Sequence, residues 1–290
     1  MKYRDRKGNE FEDTTSQDKL LDTIYSHAPT RAAVGLLSAP FISKIGRKVL
    51  DSEVSTLFID SFADKNDIDL FDYEDTRYSS FNDFFTRRIK SSRRLIETDE
   101  NVLICPSDGK VSAYEITGAS TFVIKNSVYT VATLLRDKKL AERYSGGTAI
   151  VIRLTPDDYH RYVYPCSGVK SHDRKIGGVL QTVNPVALVH KPVFKENSRE
   201  YCMIRSAKFG DVIMMEVGAL FVGKITNHNP EGRINVKKGE EKGYFEFGGS
   251  TIVLLTQKGK VKVDDDLIAN TKEGFETRLL QGAQIGVSVR

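Results

Sequence analysis

A chain of 290 residues, 40% of them hydrophobic, is long enough to bury a real core in one large domain or two small ones. Its formal net charge of +4 is modest, and acidic and basic residues are interspersed. No dense Lys/Arg run with interleaved aromatic residues occurs, so a nucleic-acid partner is not indicated. Three cysteines without Cys-x-x-Cys spacing argue against a disulfide framework or a zinc site, and five scattered histidines argue against a metal centre.

The N-terminal part begins with a polar segment and continues with an apolar one. Residues 1–19 are rich in charge and lack the apolar stretch of a signal peptide, which predicts cytoplasmic synthesis. Residues 20–50 have apolar side chains at helical spacing, but their longest uncharged run, residues 32–43, is too short to cross a bilayer and contains Pro40. Amphipathic helices of this kind either lie in a membrane interface or pack against the domain or a partner subunit.

Further helices are predicted over residues 52–62 and 78–89, the second with three phenylalanines at helical spacing on a core face. After residue 100 the pattern changes to short β-like segments, interrupted by one helix at 131–144. The predicted strands are 110–116, 121–124, 148–154, 178–182, 201–206, 211–217 and 251–256. Because βαβ alternation is missing, we expect an α+β fold with an antiparallel β core, sandwich or barrel-like. Residues 1–95 would form an N-terminal layer of amphipathic helices on a core of residues 96–290.

The tripeptide Gly249-Ser250-Thr251 is compatible with self-cleavage. A serine can attack the carbonyl group of a preceding glycine, because glycine has no Cβ to obstruct the approach. The Ser250 hydroxyl would take over the Gly249 acyl group as an ester, and elimination would then break the chain and leave a dehydroalanine. Its hydrolysis releases ammonia and leaves a pyruvoyl group on the new N-terminus. Taken alone, the tripeptide is more typical of a turn or a strand start than of a cleavage site.

Two upstream segments supply a carboxylate and an imidazole. Asp108 lies in Pro-Ser-Asp-Gly-Lys at 106–110, and His160 lies in Asp-Tyr-His-Arg at 158–161. A hydroxyl is a poor nucleophile at neutral pH and needs a base that is itself oriented by another group. Ser250, His160 and Asp108 can form such a set if the fold brings them together. Singly, Asp108 is also typical of a turn, and His160 is compatible with a structural histidine.

At this point the chain resembles a known family, the phosphatidylserine decarboxylases, which are pyruvoyl-dependent lyases made as self-cleaving proenzymes. The resemblance runs almost end to end. It rests on the segments around Asp108 and His160, Pro165 and Gly168, and on Phe-Asn-Asp-Phe-Phe-Thr-Arg-Arg at 81–88, Asn-Ser-Arg-Glu at 197–200, Val-Gly-Ala at 217–219, Val-Gly at 222–223, and Lys-Gly-Glu-Glu at 238–241 leading into Gly-Ser-Thr.

The resemblance implies cleavage between Gly249 and Ser250 into a large chain, 1–249, and a small chain, 250–290, whose pyruvoyl cofactor derives from Ser250. It implies a self-cleavage triad of Asp108, His160 and Ser250, with His160 also the first candidate to protonate the product carbon. The implied reaction is decarboxylation of phosphatidylserine to phosphatidylethanolamine and CO2 by a peripheral protein at the cytoplasmic face of the cell membrane. The implied partners are the membrane phospholipid, the two chains of one precursor and, as an option, a second copy in a homodimer.

Three further residues are candidates for substrate binding. Arg87 and Arg88 can meet a phosphate, because a guanidinium matches phosphate oxygens bidentately, although surface solvation is the plainer interpretation for at least one of them. Tyr162 can line a pocket, and a pocket lined by Tyr162 or Tyr164 would also suit the alternative substrate, a soluble aromatic amino acid. A third hypothesis is a binding or scaffold protein that keeps the fold without the cofactor.

The chain departs from the family pattern at three positions. Val163 stands where many members have a second histidine, so the proton chemistry of that group would here fall to His160, to another group such as His190, or to water. Ser198 stands where a glutamate is common, and Gly248 where a leucine is usual. The valine leaves open how processing and decarboxylation are divided among the remaining groups.

Overall fold

The fold is taken from a computed structural model, which describes residues 1–12, 48–75, 77–118, 120–124, 127–180, 195–218, 224–247 and 250–289. The predicted helical segment 20–50 lies outside the described residues except for its last three, which are helical. His190, Gly248 and Gly249 also lie outside them. The helices are α1 Ile59–Lys65, α2 Phe81–Phe85, α3 Val131–Leu135, α4 Lys138–Glu142 and α5 Asp265–Lys272, with 3-10 helices at Glu53–Phe58, Leu70–Asp72 and Ser91–Arg93.

In the described chain after residue 100, β-structure predominates over helix. The strands are β1 Lys2–Arg4, β2 Glu10–Glu12, β3 Val102–Ile104, β4 Gly109–Glu115, β5 Phe122–Ile124, β6 Ser127–Tyr129, β7 Thr148–Leu154, β8 Arg161–Val163, β9 Gly168–Lys170, β10 Arg174–Ile176, β11 Val179–Leu180, β12 Lys195–Glu196, β13 Arg199–Ser206, β14 Gly210–Val217, β15 Ile225–Asn227, β16 Ile234–Val236, β17 Glu241–Phe245, β18 Ser250–Thr256, β19 Val261–Val263, β20 Glu276–Leu279 and β21 Gln284–Ser288.

One large open sheet organises the molecule, in the order β16-β9-β13-β14-β18-β7-β4-β20-β1-β2, with β10 also paired to β13. All of its pairs are antiparallel except β1 with β20. Two three-stranded sheets, β15-β17-β8 and β19-β21-β3, and two two-stranded sheets, β5-β6 and β11-β12, complete the β-structure of the described residues. The expected α+β fold with an antiparallel β core is therefore confirmed.

The central strands of the large sheet are buried on both faces. Ile152 and Ile252 pack into one core with residues of β8, β15, β17, β21 and α5, whereas Val151 and Val253 pack into a second core beneath α3 and α4. Because neither face meets water, these strands are continuous apolar runs rather than alternating ones. All three cysteines of the chain are buried and free, and two of them lie beside the segments that carry Asp108 and His160.

A layer of short helices precedes the sheet in the chain. Its core is a cluster of apolar side chains of α1 and α2, which we call the helical-layer core: Ile59, Ala63, Phe81, Phe84 and Phe85. The predicted helical region 1–95 also contains a β-hairpin, formed by β1 and β2. This hairpin extends the edge of the large sheet beside β20. No described helix is both long and apolar enough to cross a membrane.

The seven predicted strands are confirmed within two residues, except that residues 181 and 182 lie outside the described residues. Two helix predictions were too long. The helix predicted over 78–89 is reduced to α2, because Ser80 caps its start and Ile89 already forms an extended bridge with Tyr73. The helix predicted over 131–144 is split, because Arg136 adopts a left-handed conformation with φ of 49° and Asp137 caps a second helix by accepting from the Leu140 N–H. Local capping therefore overrode the helical periodicity.

Candidate active site

Ser250 is the first residue of β18 and is 1% exposed. Its strand lies between β7 and β14, and Ser250 itself pairs with Leu154 at the end of β7. The strand is held on both sides by main-chain hydrogen bonds, so the position of Ser250 is fixed by the centre of the sheet. The sequence predicted this strand one residue later, and the structure puts the serine inside its first pair.

Asp108 lies immediately before β4, on the other side of β7. Lys110 pairs with Arg153 and Ser250 pairs with Leu154, so Asp108 and Ser250 belong to the same end of three adjacent strands. The next residue must be a glycine, because a Cβ at Gly109 would come within 2.8 Å of the Arg153 carbonyl oxygen. The close approach of β4 to β7 therefore explains the glycine that follows Asp108.

The Asp108 carboxylate is 3% exposed and fully engaged by hydrogen bonds. Arg94 Nε donates to its Oδ1 at 2.7 Å, a second Arg94 nitrogen donates to Oδ2, and the Gln281 N–H donates to Oδ1 at 2.8 Å. These charge-assisted bonds hold the carboxylate in one orientation. Arg94 was not predicted from the sequence, although two nearby arginines, Arg87 and Arg88, were candidates for substrate binding.

Gln281 was also missed, and no motif in the sequence singles it out. Its side-chain amide donates to the Pro106 carbonyl oxygen at 3.1 Å and to the Arg161 carbonyl oxygen at 2.9 Å. Together with the bond from its N–H to Asp108, these contacts tie the Asp108 segment to the residue that follows His160. A single amide thus joins the two segments that the sequence had placed in one site.

His160 is 1% exposed and lies between β7 and β8. Its Nδ1 lies 2.8 Å from the Asp158 carbonyl oxygen, and a carbonyl oxygen only accepts, so Nδ1 carries a proton. The neutral ring then has its lone pair on Nε2, the tautomer that a general base requires. The Phe245 N–H donates to the His160 carbonyl oxygen at 3.1 Å, which fixes the histidine beside the chain that runs on to Ser250.

The loop before His160 is anchored by a buried ion pair. Lys110 Nζ lies 3.0 Å from Asp158 Oδ2 and also contacts Asp157 and Thr155. Burial raises the pKa of the Asp158 carboxyl, and the Lys110 ammonium opposes that rise. Since the Asp158 carbonyl orients the imidazole, this ion pair shapes the loop that positions His160.

The three substrate-binding candidates have different environments. Arg87 is buried, donates to the Tyr73 hydroxyl at 3.1 Å and lies 4.4 Å from the Tyr73 ring centroid. Tyr162 is also buried and donates from its hydroxyl to Asn227 Oδ1 at 3.1 Å. Arg88 is exposed. Val163 packs with Val102 and Ile104, so the position of the second histidine in many relatives is here part of an apolar cluster.

A buried group of charges lies behind the site, on β9, β14, β17 and the turn after β9. Lys242 Nζ is 2.8 Å from Glu216 Oε2, and Lys170 Nζ is 3.1 Å from Asp173 Oδ1. All four side chains are fully buried. Glu216 pairs across the sheet with Ile252, two residues after Ser250. Burial raises the pKa of the Glu216 carboxyl to about 7, and the Lys242 ammonium opposes that rise.

This pKa predicts a pH-dependent difference between the wild-type protein and Glu216→Gln. The pKa of Glu216 rises from 4.5 to about 7 on folding, so the folded state binds the proton more tightly. The resulting stabilisation is present below the unfolded pKa and is lost as the pH rises through the folded pKa. Between about pH 5 and about pH 8 we expect the wild-type free energy of unfolding to fall by about 1 to 3 kcal/mol relative to that of the variant. Urea unfolding across this pH range measures the free energy of unfolding of both proteins, and Glu231→Gln, at an exposed position, is the control. Parallel pH curves for wild type and Glu216→Gln would contradict the prediction.

The candidate site therefore comprises a buried serine and an engaged carboxylate at one end of an antiparallel sheet, and a buried histidine whose Nδ1 donates to the Asp158 carbonyl oxygen. The family model for phosphatidylserine decarboxylase matches residues 81–286. That match includes Asp108, His160 and Ser250. The chain belongs to the phosphatidylserine decarboxylase family.

Similar proteins extend over most of the chain. A protein of Clostridium acetobutylicum named phosphatidylserine decarboxylase proenzyme 2 is 44% identical over 251 residues, which cover 86% of this chain and 85% of the relative. A phosphatidylserine decarboxylase proenzyme of Ruminiclostridium cellulolyticum is 43% identical, with 92% and 91% covered. One of Clostridium tetani is 39% identical, with 99% and 98% covered. The match to this last relative includes the N-terminal region as well as the β core.

Proposed function

We propose that this chain is a proenzyme that cleaves itself between Gly249 and Ser250 and then decarboxylates phosphatidylserine to phosphatidylethanolamine. The observation that carries the proposal is the position of Ser250. It is buried at the start of a central strand, at the same sheet end as Asp108. The segment that leads to it is bound to His160 through the Phe245 N–H. Membership of the family supports the same assignment.

In the proposed self-cleavage, His160 accepts the proton of the Ser250 hydroxyl through Nε2, since its Nδ1 already donates to the Asp158 carbonyl oxygen. The Ser250 oxygen then bonds to the Gly249 carbonyl carbon as the peptide C–N bond breaks, and the protonated imidazole returns the proton to the leaving Ser250 nitrogen, which becomes an amine. Asp108 supplies a negative charge that favours the protonated imidazole, and Arg94 and Gln281 keep that carboxylate in place.

The residues present fit a pyruvoyl group derived from Ser250, because the serine begins a buried strand whose other residues keep their pairs after a cut before residue 250. When formed, this group supplies a carbonyl that condenses with the substrate amine and accepts electron density as CO2 leaves. The small chain stays bound through three strands. β18 pairs with β7 and β14, β20 pairs with β4, and β21 pairs with β3, all partners lying in the large chain.

The helical layer supports a peripheral contact with the lipid bilayer. Four of its apolar side chains are strongly exposed: Val54 at 70%, Leu57 at 78%, Phe58 at 60% and Phe71 at 83%. Apolar side chains at this exposure lower their free energy by entering the acyl boundary of a membrane. We propose that this surface meets the cytoplasmic face of the cell membrane, and that the exposed Arg88 is the arginine that meets a lipid phosphate.

The first test is the mass of the purified chain under denaturing conditions. We expect two fragments, residues 1–249 and residues 250–290, the second lighter than the unmodified peptide by the mass of one ammonia. CO2 release is then measured with phosphatidylserine vesicles, with soluble glycerophosphoserine and with free tyrosine. Activity on vesicles and none on free tyrosine supports the proposal. Two fragments with activity on tyrosine alone would support the alternative substrate, and a single full-length mass without activity would support a binding or scaffold protein.

A further inference from the structure

The chain that leads to Ser250 is held at Phe247 by helix α2. The Phe247 N–H donates to Asn82 Oδ1 at 3.2 Å. The Phe247 ring lies 5.3 Å from the Phe81 ring and 5.1 Å from the Phe85 ring, both nearly perpendicular to it. Both a main-chain group and the side chain of Phe247 are therefore bound by one short helix.

The same helix contacts His160. The Phe85 ring lies 4.2 Å from the imidazole, measured between ring centroids, and is tilted by 47° to it. Arg161, the next residue, donates from Nε to the Thr86 carbonyl oxygen at 2.7 Å. Phe85 thus lies against both the imidazole and the ring of Phe247.

The sequence explains why the chain needs to be held at residue 247 before it reaches Ser250. The two residues between Phe247 and Ser250 are Gly248 and Gly249, which have no side chains to pack and the largest backbone freedom of any residue type. Phe247 is therefore the last side chain that can fix the direction of the chain before the scissile bond. Reactions of this kind are sensitive to small errors in the approach of the reacting atoms.

The Asn82 contact is directional, whereas ring packing alone is not. Its Nδ2 donates to Asp51 Oδ1 at 3.1 Å, which fixes which end of the amide faces Phe247. Asn82 Oδ1 is thereby presented to the main-chain N–H of Phe247. Packing of the helical-layer core does not require this contact. The arrangement is suited to aligning a peptide.

We propose that Asn82 and Phe85 are positioning residues for self-cleavage, with Asn82 aligning the segment before Gly249 and Phe85 holding the ring of His160. This inference rests on the proposed function and adds a role for α2 to it. Asn82 affects formation of the ester, in which the Ser250 oxygen bonds to the Gly249 carbonyl carbon, the C–N bond breaks and the Ser250 nitrogen becomes an amine.

The Asn82 part is tested with Asn82→Leu, which keeps the side-chain size and removes the acceptor. We expect self-cleavage, followed by mass from fresh synthesis onward, to be slowed roughly tenfold or more. The double variant Asn82→Asp with Asp51→Asn exchanges the two side chains, so an oxygen again faces the Phe247 N–H and the bond to residue 51 is kept. It should restore most of the rate. Asp51→Ala loses the bond that orients the amide but keeps the acceptor, so we expect it to slow self-cleavage less than Asn82→Leu does.

Hydroxylamine identifies the step that is slowed, because it cleaves esters and leaves amides intact. Asn82 is proposed to act on ester formation, so little ester should be present in Asn82→Leu. Hydroxylamine should therefore not restore chain cleavage in this variant. Rapid cleavage on its addition would show that the ester forms normally and would overturn the inference.

The Phe85 part is tested with Phe85→Leu against Tyr78→Leu. Tyr78 contacts Phe84 in the helical-layer core at 5.3 Å between ring centroids, so its loss serves as the matched packing control. We expect Phe85→Leu to slow processing and to shift the pH at which it is half-maximal, and Tyr78→Leu to leave that pH unchanged. Equal effects of both variants would mean that Phe85 acts only through packing.

The outcomes separate this inference from the function on which it rests. A wild-type chain that stays intact would contradict the proposed self-cleavage itself. A wild type that cleaves while Asn82→Leu cleaves at the same rate would overturn only the role of α2. Thermal unfolding of each variant, required to match wild type, excludes loss of folding as the cause.

Discussion

The Ser250→Ala protein is expected to remain a single chain of 290 residues without decarboxylase activity. Alanine has no hydroxyl to attack the Gly249 carbonyl group, and neither ester nor pyruvoyl group can form. The small size of the change matters, because Ser250 is buried in the centre of the sheet and a larger residue would disturb the pairing of β18 with β7 and β14. Denaturing mass spectrometry and CO2 release from phosphatidylserine vesicles measure the two losses.

A matched control comes from the other end of the same strand. Thr256 is buried and donates from its hydroxyl to the Thr148 carbonyl oxygen at 3.2 Å, so Thr256→Val removes a buried hydroxyl of β18 at a distance from the site. We expect this variant to be cleaved and active. Chain cleavage before residue 250 in Ser250→Ala would refute self-cleavage by the serine.

The second large effect is expected for His160→Ala, which should slow self-cleavage by roughly 10²- to 10⁴-fold, the usual contribution of a general base. The fixed Nδ1 proton leaves Nε2 as the basic nitrogen, and Val163 provides no second imidazole to replace it. Turnover should fall as well, measured per cleaved chain after prolonged incubation. If His160 also protonates the product carbon, the pH dependence of turnover will change along with its rate.

The exposed His172 provides the control, because it lies outside the site and His172→Ala removes an imidazole of the same kind. Its processing and turnover should equal those of wild type. Added imidazole should partly restore processing to His160→Gly, in which the missing ring leaves space. Normal processing of His160→Ala would remove His160 from the mechanism and direct attention to other groups.

The sequence was most informative where local chemistry and burial agreed. The apolar runs at 148–154 and 251–256 predicted β7 and β18 closely, since strands buried on both faces admit few polar residues. Prediction was poorer for helices, because periodicity registers neither the hydrogen bonds by which Ser80 and Asp137 start helices nor the left-handed backbone of Arg136 that ends one. Three-residue strands such as β8 and β9 were missed, since segments so short carry almost no pattern.

The candidate site also has residues that the sequence predicted and residues that it did not. The candidate reactive groups, a glycine-serine pair, a histidine and an aspartate, were predicted from residue types and motif order, because the proposed chemistry needs a nucleophile, a base and a charge. The contacts of Arg94, Gln281 and Asn82 were not predicted, because each joins residues distant in sequence and none of the three belongs to a spacing that defines a reaction.

The order of residues along the chain was enough to indicate the family, the strands of the sheet centre and the candidate chemistry at Ser250, since these depend on local segments. Three features came from the folded chain alone: Asp108 and Ser250 lie on opposite sides of β7 at one sheet end, Gln281 joins the two upstream segments, and α2 contacts both Phe247 and His160. Strand order and register set those neighbours, and both arise from the simultaneous burial of many side chains, which no single segment of the sequence encodes.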